Sequence, residues 1–160
     1  MSKNLNALPA EGSRAPAFSL PGSTGKTVKL SELKGGAVVL YFYPKDDTSG
    51  CTLEAQEFRD LDKEFKNAKT AVLGVSPDSV ESHCKFIEKQ KLSFELLADV
   101  NHAVAEKYGV WGEKSMYGRK YMGIFRTTFL IDKAGKIAKV WANVKPSRHA
   151  AEVLAAAKTL

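Results

Sequence analysis

An uncharged run, a proline and an amphipathic segment follow one another in this chain, and together they constrain its fold more than any other stretch. Residues 37–43, AVVLYFY, are mostly β-branched and aromatic and carry no charge, which predicts a central strand buried on both faces. Pro44 ends this strand. From Leu53 onward apolar residues recur at intervals of three and four, which predicts a helix that begins near Gly50 or Cys51.

Cys51 lies where the predicted turn becomes the predicted helix. A thiolate in the first turn of a helix meets unpaired backbone N–H groups and the positive end of the helix dipole, and both favour the anion over the thiol. We therefore expect a reactive cysteine at this position. The residue types alone leave a second interpretation open, because buried free cysteines are common and inert.

The remaining sequence predicts strands that alternate with helices. A β-hairpin is expected over 17–30, where turn formers separate two short apolar segments. We further predict strands at 70–75, 94–98, 126–131 and 136–141, and helices at 80–90, 101–108 and 147–158. This order indicates an α/β fold with a mixed central sheet flanked by helices. We expect residues 1–160 to form a single domain, with 1–12 as a loosely held N-terminal arm and a loop around Trp111 and Tyr117.

Composition and charge narrow the possible functions. The net charge is +6, but the lysines are scattered and no basic block with interleaved aromatics occurs, so we do not expect a nucleic-acid partner. No apolar run approaches the length of a bilayer span, and the N-terminus lacks the apolar stretch of a secretory signal. A cytoplasmic protein without membrane association is expected. The two cysteines lack the partners of a zinc site, and neither a metal nor an organic cofactor is expected.

The turn before the first long helix carries a specific motif. Pro44, Thr48 and Cys51 spell Pro-x-x-x-Thr-x-x-Cys after the hydrophobic strand, and this motif resembles that of the peroxiredoxins. The longer string YFYPKDDTSGCTLEAQEFRD is similar to the Q-type, or bacterioferritin comigratory protein, branch. The resemblance covers nearly the whole chain. It implies a thioredoxin-like fold with an N-terminal β-hairpin extension, and an enzyme that reduces hydrogen peroxide and organic hydroperoxides.

Peroxide reduction requires an anion, hydrogen-bond donors and a cation at one site. Cys51 is the candidate nucleophile, Thr48 can donate or accept a hydrogen bond beside it, and Pro44 would shield the sulfur from bulk water. The resemblance assigns the cation to Arg126, in the string FRTTF, and matches Glu54 to a family glutamate that orients the arginine. The alternatives are a surface arginine at a strand end and a carboxylate that only stabilises a helix N-terminus.

A Cys51 sulfenic acid must meet a second thiol, or it over-oxidises. Many members of the branch carry the resolving cysteine five residues after the first, where this chain has Gln56. Cys84, on the predicted helix 80–90, is the remaining candidate, and some Q-type members place the resolving thiol on that helix. A disulfide needs Cα atoms within about 7 Å, so we expect local unfolding of the first turn at Cys51, of the Cys84 helix, or of both. Alternatively, Cys84 fills the core and an external thiol resolves Cys51.

The leading hypothesis is a monomeric thiol peroxidase that thioredoxin or glutaredoxin recycles. A different class remains open, a thioredoxin-fold redox sensor that passes oxidation to a partner without turnover. We also expect surface positions for the three histidines. Core packing is expected for Trp111 and Tyr117, with the border of the active-site mouth as the alternative.

Overall fold

The uncharged run forms the strand β3 (Ala37–Phe42) of the computed structural model, and all of its residues are buried. The structure describes residues 8–33 and 35–160. The other strands of this part of the chain are β1 (Ser19–Pro21), β2 (Thr27–Lys29), β4 (Thr70–Ser76), β5 (Glu95–Ala98), β6 (Trp111–Met116), β7 (Arg119–Ile124), β8 (Thr127–Ile131) and β9 (Ile137–Trp141). Its α-helices are α1 (Ser49–Asn67), α2 (Val80–Gln90), α3 (Ala103–Lys107) and α4 (His149–Ala157), and a 3₁₀ turn covers Leu30–Leu33.

β3 lies at the centre of a mixed sheet with the strand order β5-β4-β3-β8-β9. It pairs in parallel with β4 and antiparallel with β8. Successive side chains of a strand point to opposite faces, so Val39 and Tyr41 join an apolar cluster with α1, α2 and α4. Leu40 and Phe42 join a second cluster with α3 and the N-terminal segment. The predicted α/β fold with a mixed, helix-flanked sheet is confirmed, as is the hairpin of β1 and β2.

The predicted loop around Trp111 and Tyr117 is wrong, because β6 and β7 pair there as an antiparallel hairpin. Tyr117 and Gly118 form its turn with positive φ angles of 52° and 77°, a backbone shape that suits the twist of a tight hairpin. Tyr117 is 98% exposed, so the core packing expected for it is also wrong. Trp111 is half-buried and stacks on His102 with ring centroids 3.9 Å apart.

The described end of the N-terminal arm is attached to the sheet. The backbone N–H of Gly12 donates to the carbonyl of Ile137 at 2.7 Å, and the Glu11 carboxylate accepts from the N–H of Val140 at 3.1 Å. The rest of the arm, residues 1–7, lies outside the described residues. Among the helices of 8–33 and 35–160, none has the length and apolarity that crossing a bilayer requires.

Candidate active site

Cys51 is the third residue of α1, as the sequence predicts, and it is 1% exposed. Thr48 precedes the helix as its N-cap in an extended conformation, and its carbonyl accepts from the N–H of Thr52 at 2.8 Å. Asp47, one residue earlier, has a positive φ of 64°. This conformation turns the chain sharply between β3 and α1. The sulfur therefore lies in the first turn of a helix directly beyond the end of the central strand.

Arg126 contacts the sulfur of Cys51, although the two residues are 75 positions apart in the sequence. Its Nη2 donates to the Cys51 Sγ at 3.2 Å. Arg126 immediately precedes β8, and the antiparallel pairing places Thr127 opposite Phe42 at the end of β3. The start of one strand and the end of the other thus meet at the same edge of the sheet. The alternative of a surface arginine does not hold, because the Arg126 side chain is only 15% exposed.

Glu54 forms a buried ion pair with the Arg126 guanidinium. Its Oε1 accepts from Arg126 Nη1 at 2.6 Å, and its side chain is 1% exposed. Burial raises the pKa of Glu54 to about 7, although the Arg126 charge opposes that rise. Burial alone would lower the pKa of Arg126, but the Glu54 and Cys51 charges outweigh it and raise that pKa. One guanidinium nitrogen is therefore held by Glu54 while the other contacts the sulfur.

Gly50 is a site residue that the sequence reasoning missed. A Cβ atom at this position would lie 3.3 Å from Arg126 Nη2 and 3.6 Å from Pro146 Cγ. The backbone of the same late segment holds Arg126, because the N–H of Val144 donates to the Arg126 carbonyl at 2.9 Å. The guanidinium therefore passes close to the backbone of the first turn of α1. The glycine directly before Cys51 is the only signal of this packing that the sequence carries.

Thr48 and Pro44 belong to the turn that leads into α1. The Thr48 hydroxyl is exposed and donates to the carbonyl of Lys45 at 2.9 Å. That bond uses its proton and leaves its oxygen lone pairs able to accept a hydrogen bond. Pro44 is half-buried. Their roles towards substrate and sulfur stay predictions.

Cys84 lies in different surroundings from Cys51. It is exposed, and its Sγ donates to the carbonyl of Ser23, in the turn between β1 and β2, at 3.3 Å. The buried side chains of α2 are instead His83 and Phe86. The alternative of Cys84 as a core residue is therefore wrong. Both cysteines are free thiols in this conformation.

The expected surface positions are wrong for His83 and His149. His83 is fully buried, with its Nδ1 2.7 Å from Asp46 Oδ2 and its Nε2 2.9 Å from the Leu97 carbonyl oxygen. His149 is 3% exposed, and its Nε2 lies 2.8 Å from Thr128 Oγ1. Burial, and next to it the Arg126 charge, lower the pKa of His149 to about 4. Each ring tolerates burial because it has polar partners.

Asp46, Asp78 and His83 could in principle surround a metal ion, because their ligand atoms lie within 4.8 Å of one another. Those atoms already take part in hydrogen bonds. Asp46 Oδ2 faces Ser82 and His83, and Asp78 Oδ2 accepts from the Asp46 N–H and the Ser76 hydroxyl. The group is thus satisfied by the protein itself.

A mixed sheet with a cysteine at the start of the helix after its central strand is typical of a thioredoxin-like protein, and an arginine on that sulfur is consistent with the thiol peroxidase class. A sequence model described as the AhpC/TSA family matches residues 12–140. The peroxiredoxin Bcp of Bacillus subtilis (strain 168) is 51% identical over 149 residues, which are 93% of this chain and 95% of that protein. The chain belongs to the AhpC/TSA family and is a peroxiredoxin.

Solved structures show the same likeness over the whole fold. Peroxiredoxin Q of Xanthomonas campestris superposes with a TM-score of 0.86 at 41% identity, covering 95% of this chain and 96% of that one. A structure of the Xanthomonas campestris bacterioferritin comigratory protein, studied for its alkyl peroxide reduction activity, has the same TM-score and coverage at 40% identity. The resemblance to the Q-type branch and the thioredoxin-like peroxiredoxin fold are thereby confirmed.

Proposed function

We propose that this chain reduces hydrogen peroxide and organic hydroperoxides with Cys51 as the nucleophile. The observation that carries the proposal is the contact of Arg126 Nη2 with the Cys51 sulfur at 3.2 Å, with the guanidinium held by Glu54. A fixed cation beside a sulfur favours the thiolate. It also stabilises negative charge that develops on an oxygen next to that sulfur.

The first step follows from this arrangement. The Cys51 thiolate attacks one oxygen of the peroxide in line with the O–O bond, and the S–O bond forms as the O–O bond breaks. The leaving oxygen takes up a proton and departs as water or as an alcohol, and the sulfur becomes a sulfenic acid. Arg126 is already positioned for the developing charge, so little reorganisation accompanies the reaction. The free lone pairs of Thr48 can accept a hydrogen bond from the peroxide.

In the second step we assign Cys84 as the resolving thiol. Its thiolate attacks the sulfenic sulfur of Cys51, an S–S bond forms, and the hydroxyl leaves as water once protonated. The exposure of Cys84 supports this role, because a resolving thiol must be free to move. Cys51 lies against Arg126 whereas Cys84 lies against Ser23, which supports the proposal that disulfide formation involves local opening of the first turn of α1, of α2, or of both.

A one-cysteine cycle is the second candidate. The observation that favours it is the same contact of Cys84 with the β1–β2 turn, away from Arg126. In this cycle an external thiol attacks the sulfenic acid of Cys51, and Cys84 takes no part.

The proposal includes recycling by a dithiol protein such as thioredoxin or glutaredoxin, which would reduce the disulfide by thiol–disulfide exchange. We also propose a cytoplasmic location, as the sequence predicts. We propose a monomer, because both cysteines of the cycle come from one chain. The alkyl peroxide reduction activity of the Xanthomonas campestris relative supports the inclusion of organic hydroperoxides.

The test is the intact mass of the reduced protein after one equivalent of hydrogen peroxide, followed by peptide mapping. The proposed cycle predicts a loss of about 2 Da and a Cys51–Cys84 linkage. A gain of about 16 Da on Cys51 would instead establish the one-cysteine cycle. An unchanged mass would refute the peroxidase mechanism and favour a sensor that needs a partner. The Cys84→Ser protein is the matched control, since it cannot form the Cys51–Cys84 linkage.

A further inference from the structure

A chain of buried polar groups connects the turn before Cys51 with the helix that carries Cys84. The Tyr43 hydroxyl donates to Asp46 Oδ1 at 2.5 Å. The other oxygen of Asp46, Oδ2, accepts from the Ser82 hydroxyl and faces His83 Nδ1, each at 2.7 Å. Asp46 is 7% exposed, and His83 and Tyr43 are 0% exposed. The peroxidase chemistry described above uses none of these groups.

His83 is held from both sides of its ring. The carbonyl of Leu97, on β5, can only accept, so His83 Nε2 carries a proton and donates to it. Burial alone would raise the pKa of Asp46, but hydrogen bonds from His83, Tyr43 and Ser82 hold that pKa below its usual value. Asp46 is therefore a carboxylate, and its Oδ2 lies 2.7 Å from His83 Nδ1. The contact is a charge-assisted hydrogen bond in a buried position.

The Asp46–His83 contact joins the segments that carry the two cysteines. Asp46 lies between Pro44 and Thr48 in the turn that delivers Cys51, and His83 is the residue directly before Cys84. The Asp46 N–H also donates to Asp78 Oδ2 at 2.8 Å, one residue before the N-cap of α2. Asp46 thus contacts both the residue before the N-cap of α2 and the first turn of that helix.

Another contact between these two elements is weaker. Lys89 Nζ on α2 lies 2.9 Å from Asp47 Oδ2, but the two side chains are 61% and 52% exposed. Exposed ion pairs of this kind contribute little to stability. The buried Asp46–His83 contact is therefore the stronger link between the turn and α2.

We propose that Asp46 and His83 are positioning residues that keep the Cys51 turn and the Cys84 helix folded together during peroxide attack, and that they separate before the disulfide forms. Because both elements share Asp46, opening one removes an anchor of the other, and the two openings occur as a single event. This inference rests on the proposed resolution by Cys84. It adds that the rate of resolution is set by a contact that touches neither sulfur.

The test separates peroxide attack from resolution. Asp46→Asn keeps the shape of the side chain and removes its charge, while His83→Phe keeps a ring and removes the donors, which covers the case in which one variant does not fold. After a peroxide pulse, the rate of disulfide formation is followed by acid quenching and mass spectrometry. We expect this rate to rise on the order of tenfold to a hundredfold, the range expected for a lost hydrogen bond to a charged group. Lys89→Met, which removes only the exposed contact, should leave it unchanged.

A second readout does not depend on the disulfide. In the reduced Cys84→Ser protein, hydrogen exchange measures the opening of α2 and of the first turn of α1. The proposal predicts that both variants lower protection in the two elements together, with only a small change in the peroxide rate. Unchanged disulfide rates, or a loss of protection in α2 alone, would overturn it. If the unsubstituted protein forms no Cys51–Cys84 disulfide, the proposed resolution fails, and hydrogen exchange still decides whether Asp46 and His83 join the two elements.

Discussion

Cys51 and Cys84 are both free thiols, but the atoms around their sulfurs differ in kind. Cys51 is buried at the start of a helix, and the Arg126 guanidinium, fixed by Glu54, lies against its sulfur. Cys84 is exposed in the middle of a helix, and its sulfur contacts the Ser23 backbone carbonyl. The comparison teaches that, in the proposed mechanism, surroundings and not the presence of a thiol separate the nucleophile from the resolving cysteine. The first needs a fixed electrostatic environment, and the second needs freedom to move.

Removal of the Arg126 charge should reduce the difference in peroxide reactivity between Cys51 and Cys84 more than any other change. In Arg126→Met, the rate of Cys51 oxidation by hydrogen peroxide should fall on the order of a hundredfold to a thousandfold, the cost of one preorganised donor. Stopped-flow measurement in the Cys84→Ser background isolates this step. Arg119→Met, which removes an exposed arginine from β7, is the control and should react as fast as the protein with Arg119 intact.

The free energy of unfolding should depend on pH because His149, on the same face of the sheet as Cys51, is a buried titratable group. His149 has a folded pKa of about 4, below its unfolded value of about 6.5. Because the unfolded state takes up the proton first, this stabilisation is present above about pH 6.5 and decreases as the pH falls towards 4. The loss between those limits should be about 3 kcal/mol.

Glu54, whose folded pKa of about 7 lies above its unfolded value, changes stability in the opposite direction over the same range. The His149 loss is therefore measured as the difference between the pH dependences of urea unfolding in the unsubstituted protein and in His149→Asn. His102→Asn is the matched control, because His102 lies 2.7 Å from the Glu106 carboxylate on a partly exposed surface. An unaltered pH dependence in His149→Asn would show that other groups cause the acid destabilisation.

Neutralising Glu54 tests whether the position of the Arg126 guanidinium, and not only its charge, sets the reactivity of Cys51. Glu54→Gln keeps the shape of the side chain but removes its charge, and we expect Cys51 oxidation to slow roughly tenfold, as for one weakened charged hydrogen bond. Glu64→Gln, on an exposed part of the same helix, provides the comparison. Equal rates in the two variants would show that Arg126 is held in place without Glu54.

The smallest expected effect is that of a methyl group added at Gly50. In Gly50→Ala, the new Cβ would lie 3.3 Å from Arg126 Nη2 and displace it from the sulfur. We expect peroxide reactivity to fall roughly threefold to tenfold, which corresponds to about 1 kcal/mol. Ser49→Ala, at the exposed neighbouring position, should have no effect. If Gly50→Ala reacted with peroxide as fast as the unsubstituted protein, the guanidinium would have to shift and still contact Cys51.

The position of Cys51 could be predicted from the sequence because its causes are local. A buried strand, a proline and an apolar period of three to four residues lie within one short segment. Arg126 is different, since only the antiparallel pairing of β3 and β8 brings it to the sulfur. Local patterns do not encode that pairing, and the family resemblance supplied the assignment.

The errors at His83 and His149 have the same non-local origin as the assignment of Arg126. His83 and His149 are polar residues on buried helix faces, and they are stable there because Asp46, Leu97 and Thr128 supply partners from distant parts of the chain. A helix pattern alone cannot show those partners. The β6–β7 hairpin was missed for another reason. Most residues of its strands are half-buried or exposed, and the strands lack the alternation of apolar and polar residues by which such strands are detected.

The most direct test of the account compares the two thiols in one fold. Cys84→Ser leaves only Cys51, Cys51→Ser leaves only Cys84, and stopped-flow kinetics give the rate constant of each with hydrogen peroxide. The account predicts that Cys51 reacts faster than Cys84 by at least about a hundredfold, since Arg126 acts on the Cys51 sulfur alone. Equal rate constants would contradict it, because the Arg126–Glu54 arrangement would then give Cys51 no advantage over an exposed thiol.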